Sequence, residues 1–149
     1  MRSSTVSLST SDDLRGDALV WLGYALGDLE LARAQPGRSM RPRHVAFQAQ
    51  QAAEKPIKAA LVLEGIEVPR THDLDVLRKL LPRRWRVVSR PASLARLSDY
   101  AADTRYPDSI ISVNAIQSAT AVRQANAVVR LVREDFGRRG VMTEGLQAR

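Results

Sequence analysis

PRHVAFQAQQAAEKPIKAALVLE, residues 42–64, is the stretch whose reading decides the fold class. Pro42 suits a first helical turn, where its missing N–H is not needed, and Gly65 directly after the stretch can close a helix in the left-handed conformation. Between them, Ala46, Ala49, Ala53, Ile57 and Ala60 recur at three- and four-residue spacing and share one side, while Gln51, Glu54, Lys55 and Lys58 share the opposite one. The spacing predicts a long helix whose alanine side admits close approach of a neighbour. Pro56 stands inside it, and the lost backbone hydrogen bond predicts a kink near Ala52 to Pro56.

Helical periodicity continues on either side. Ser11, Asp12 and Asp13 favour a helix start, and Leu14, Ala18, Trp21, Leu22, Ala25, Leu29 and Ala32 give a first helix over about 12–34, stopped by Gln35, Pro36 and Gly37. A short helix is expected over 73–81, capped by Thr71 or His72 and ended by Pro82. A fourth is expected over 91–103. The last runs over 113–136, where Ile116, Ala119, Val122, Val129, Val132 and Phe136 share a face. No segment alternates with a period of two, so the expected fold is all-α: an up-and-down helical bundle of four main helices plus a short one. Residues 1–10 read as a disordered leader, 11–138 as the bundle and 139–149 as a frayed tail.

The 149-residue length suits one domain. Cysteine is absent, which removes thiolate ligands and nucleophiles, and two histidines do not suffice for a metal set. No cofactor or metal is expected. Neither a signal peptide nor a membrane span is visible, and the expected location is cytoplasmic with no membrane partner. The net charge of +7 suits a phosphate-bearing partner. Much of the excess sits in two clusters, Arg38/Arg41/Arg43 and Arg83/Arg84/Arg86/Arg90, and a solvated arginine-rich surface explains these as well as a phosphate-binding patch does. Trp21 reads as core. Trp85, set among arginines, reads as an exposed or interface aromatic for single-stranded nucleic acid or for a protein partner.

Three stretches in order, Phe47 to Ala59, Pro69 to Leu74 and Arg105 to Asp108, are similar to the "QQAxEKxLKA" helix, the "RTHDL" turn and the "RYPD" turn of the HEPN family. The chain resembles that family over roughly residues 14–135. The resemblance implies a homodimer of helical bundles, a nucleotide or RNA ligand, and a nucleotidyltransferase partner protein in a toxin–antitoxin pair. It also implies an alternative activity, metal-independent RNA endonuclease, which in the family is marked by an arginine followed after four to six residues by a histidine. His72 has no arginine at that distance upstream; Arg38 stands at the right spacing before His44. A third alternative is a structural helical dimer without a ligand.

The candidate site residues follow from these turns. His72 and Arg70 are the catalytic candidates: a neutral imidazole can accept a proton from a ribose 2′-hydroxyl, and a guanidinium can steady the phosphate. Asp73, Arg105, Tyr106, Asp108, Lys55 and Lys58 are the nucleotide- or RNA-binding candidates, with Asp73 expected to fix the imidazole tautomer. Local structural roles stand beside these: His72 and Asp73 as a helix cap, Tyr106 to Asp108 as a turn sealing the core, and Gln51, Glu54, Lys55 and Lys58 as a hydrated helix face. The turns over 69–74 and 105–108 are expected to meet at one end of the bundle.

Overall fold

The computed structural model describes residues 10–34, 41–101 and 112–149. Five helices are found among them: α1 (Ser11–Arg33), α2 (Pro42–Leu63), α3 (Leu74–Lys79), α4 (Ala95–Asp99) and α5 (Ala115–Arg138), with a 3-10 turn over Arg86–Val88. No strand occurs among the described residues. The expected all-helical bundle is present. The expected leader lies almost wholly outside the described residues; its last residue, Thr10, caps α1 through a reciprocal exchange with Asp13. Asn114 and Gln117 do the same for α5.

α2 is the axle. Both α1 and α5 pack along it, and they meet each other only sparsely. On α2, Ala46, Ala49, Ala53, Ile57 and Ala60 are fully buried, but so are Ala52, Ala59 and Gln50 on other sides. An all-round buried helix is ordinarily apolar all round; here polar groups are buried because they find partners. Within the monomer the alanine faces are covered, so they no longer argue for a dimer. Lys55 meets Asp28 and Lys58 meets Trp21, so ascending α2 pairs with descending α1, and the two helices are antiparallel. Glu64 at the end of α2 meets Arg139 at the end of α5, so those two run in the same sense.

The chain leaves α2 through Gly65 at φ 71°, with Ile66 N–H donating to the Leu61 carbonyl. It then runs back beside α2, since His72 lies against Gln50 and Glu54. Ten residues of α2 separate Glu54 from Glu64, about 15 Å at 1.5 Å per residue. The turn over 69–74 therefore sits beside the middle of α2 rather than at its far end.

Several expectations are corrected. The fourth helix is five residues long rather than thirteen. The segment before it is instead pinned by Arg78, whose buried guanidinium donates to the carbonyls of Val87, Pro91 and Ala92 and pairs with Asp75 at 2.7 Å. Trp85 is fully buried, edge-on to Phe136 at 5.8 Å, with the Arg139 guanidinium 3.7 Å from its ring centre and its Nε1–H donating to Glu64 at 2.7 Å. Trp21 is only half-buried, under Lys58. α2 stays helical across Pro56, a continuity compatible with the bend expected there. Residues 139–149 are no frayed tail: Val141 and Thr143 are buried, and the Arg149 N–H donates to the Gly23 carbonyl at 2.9 Å.

Candidate functional site

The α2 residues Gln51, Glu54, Lys55 and Lys58 were expected on a hydrated face, yet α1 and the returning segment cover them, and Gln50 is buried beside them. Burial of a carboxylate demands donors, and Glu54, 3% exposed, has three. Its Oε2 accepts from Lys58 Nζ at 2.7 Å, and its Oε1 accepts from Gln50 Nε2 and His72 Nδ1, each at 2.9 Å. Gln50 Nε2 also reaches the His72 carbonyl at 3.3 Å, and Gln51 donates to Gln50 Oε1 at 2.7 Å. Burial pushes the Glu54 carboxyl up, but the hydrogen bonds from Lys58, Gln50 and His72 and the charge of Lys58 outweigh it, and the group ends below its ordinary value.

An ionised carboxylate only accepts, so the proton of a neutral His72 ring sits on Nδ1 and the lone pair sits on Nε2. The His72 side chain is 57% exposed. A buried residue thus holds one edge of the ring while solvent has access to it. Glu54, absent from the expected site, takes the tautomer-fixing role expected of Asp73. The Asp73 carboxylate is occupied as the cap of α3, accepting from the N–H groups of Asp75 and Val76 at 3.0 and 3.2 Å. Helix α3 begins after Asp73, so the cap falls there rather than at Thr71 or His72.

Arg70 is exposed two residues before His72, with no partner among the described residues. Lys55 and Lys58 are both engaged within the protein. Lys55 pairs with Asp28 and lies over Tyr24, and Lys58 pairs with Glu54 over Trp21, so both ammonium groups are held between helices rather than offered outward. Arg105, Tyr106 and Asp108 lie outside the described residues, as does their expected meeting with the 69–74 turn. So does Arg38; its counterpart His44 is half-buried in the first turn of α2. Gln50 was missed entirely. The signal that could have found it is the threonine–histidine–aspartate turn, whose exposed carbonyl needs a donor once it lies against a helix.

A described fold of five helices, with a solvent-accessible imidazole held from behind by a buried carboxylate, defines a class: a helical module presenting an oriented acceptor, with an exposed guanidinium two residues upstream in sequence. The HEPN domain model matches residues 18–135, and the chain belongs to the HEPN family. Membership supports a nucleotide- or RNA-related role in general terms. Comparison with curated proteins and with solved structures gives no match. Among the described residues no helix is long and apolar enough to cross a membrane, and no three histidine or carboxylate groups gather as a metal site would require.

Proposed function

We propose that this HEPN protein binds RNA or a nucleotide at the rim formed by His72 and Arg70, and acts as the HEPN member of a toxin–antitoxin or nucleotidyltransferase-associated pair, as a homodimer. The observation that carries the reading is the His72–Glu54 contact: a ring held by its Nδ1 edge leaves Nε2 to meet a ligand hydroxyl or phosphate at defined geometry. Arg70 beside it supplies paired donors for a phosphate. Arg105, Tyr106 and Asp108 enter the proposal on the family resemblance alone.

The test is titration of labelled single-stranded RNA, and separately of ATP, with the purified protein in chelator. His72→Ala and Arg70→Ala are each expected to weaken binding about tenfold, the equivalent of roughly 1.4 kcal/mol. Unchanged affinity in both variants overturns the site. The same fixed tautomer favours a second reading, metal-independent RNA cleavage with Nε2 as proton acceptor; strand scission in chelator that His72→Ala abolishes would select it. Co-purification with a nucleotidyltransferase tests the pairing, and sedimentation at micromolar concentration tests the dimer.

A further inference from the structure

After α5 the chain reverses at Gly140, φ 76°, and Val141 N–H donates back to the Phe136 carbonyl. The segment that follows touches two helices that otherwise have little contact. On α5, Arg133 grips Thr143 twice: Nε donates to the hydroxyl at 3.2 Å and Nη2 to the carbonyl at 2.9 Å. A turn at Gly145, φ 78°, then directs Leu146 against the core and carries the backbone to α1. There the Arg149 N–H donates to the carbonyl of Gly23, a group already within a helix.

Two glycines one turn apart make that last contact possible. A β-carbon on Gly23 would sit 3.2 Å from the Arg149 side chain and 3.3 Å from the Gln147 carbonyl oxygen; one on Gly27 would overlap the Arg149 carbonyl oxygen and lie 2.9 Å from its carbonyl carbon. Gly16, on the same helix, would meet nothing within 4 Å. Glycine within a helix is unfavourable by itself, so its retention at Gly27 goes with the close approach. Beside this seat lies a cleft of about 620 Å³, floored by Leu26, Leu29 and Val129 and walled on one side by Thr143, Glu144 and Leu146.

We infer that residues 141–149 form a strap that clasps α1 to α5 and builds one wall of this cleft, and that the missing side chain at Gly27 seats it. Release of the strap uncovers the apolar floor between the two helices, so access to the cleft is set by strap seating. This does not rest on the proposed function. Tyr24 and Asp28, each next to a seat glycine, grip Lys55, so the seat also borders the α1–α2 contact.

The test compares Gly27→Ala with Gly16→Ala in the full chain, by hydrogen exchange of the C-terminal segment and by fluorescence of anilinonaphthalene sulfonate. Alanine favours helix at both positions, so helicity by circular dichroism should hold in both. In Gly27→Ala the amides of Leu146 and Arg149 are expected to exchange at least about tenfold faster, reporting local opening, and dye fluorescence is expected to rise. Gly16→Ala should match the parent in both readings. Thr143→Val, which removes a strap contact on α5 without touching α1, should move both readings in the same direction as Gly27→Ala. Unaltered exchange in Gly27→Ala and Thr143→Val overturns the strap; faster exchange without added dye binding overturns its role as the cleft wall.

Discussion

Three donors converge on the two oxygens of Glu54, and the consequence is a carboxylate more acidic than usual although it is buried. Its folded pKa lies below the ordinary value near 4.5 that it regains on unfolding. Between those two values the unfolded chain binds more protons, so stability rises with pH there. The contribution is full above about pH 4.5 and is lost as pH falls through the folded pKa. Glu54→Gln removes that part of the acid limb, so denaturant midpoints measured from pH 6 down to pH 3 should fall less steeply than in the parent. At pH 7 the variant should be less stable by about 3 kcal/mol, the low end for breaking a buried pair, because Lys58 retains 15% exposure. A parallel acid limb would count against the assignment. His72 and Arg70 were legible in the sequence as candidates. Glu54 was legible only as a charged residue on a helix face, because what makes it a site residue is a segment eighteen positions away laid against it.

At the scale of the element, the long helices were read well because caps and periodicity agree at each end: Pro42 and Gly65 bracket α2, and Asn114 begins α5 close to its expected start at Val113. The fourth helix was over-read. Of the residues read there at helical spacing, Leu94 and Leu97 are buried and Ala101 is half-buried, but their spacing serves a single turn, and the chain before it follows the carbonyl bonds of Arg78, a long-range cause that periodicity does not carry. Pro56 tests the balance of local and tertiary terms directly. Pro56→Ala gains about 3 kcal/mol of intrinsic helix preference. Against this stand roughly 1.6 kcal/mol for about two fewer buried methylenes and roughly 0.4–1 kcal/mol for a freer unfolded chain. The variant should therefore lie within about 1 kcal/mol of the parent, on the stable side. A loss of about 2 kcal/mol or more in urea unfolding would mean that the proline ring is required for α2 to pack, as a large cavity term would imply.

For the whole molecule, the net charge of +7 overstates what an RNA can use. Arg78 is sealed in the interior, Arg86 is paired with Glu134 and Asp135, Arg84 and Arg139 share Glu64, and Arg133 holds Thr143. Arginines bound in this way stabilise loops and release few counterions on binding. The guanidiniums without such partners among the described residues, Arg70 among them, are ready to replace sodium or potassium on a phosphate. The salt dependence of RNA binding measures this difference. Each phosphate neutralised on a single strand contributes about 0.7 to the slope of log K against log salt, so three or four contacts predict a slope of about −2 to −3. A slope near −5 or steeper would mean about seven or more phosphate contacts, more than a rim at His72 and Arg70 can supply, as general attraction by the basic surface would require. The two rim variants separate within the same titration. Arg70→Ala should lower affinity and flatten the slope by about 0.7, because one phosphate contact is removed. His72→Ala should lower affinity with the slope retained, because a neutral ring that meets the ligand through Nε2 releases no counterion. Were both variants to flatten the slope equally, His72 would be acting as a cation, and the oriented-acceptor geometry set by Glu54 would not be the feature the ligand reads.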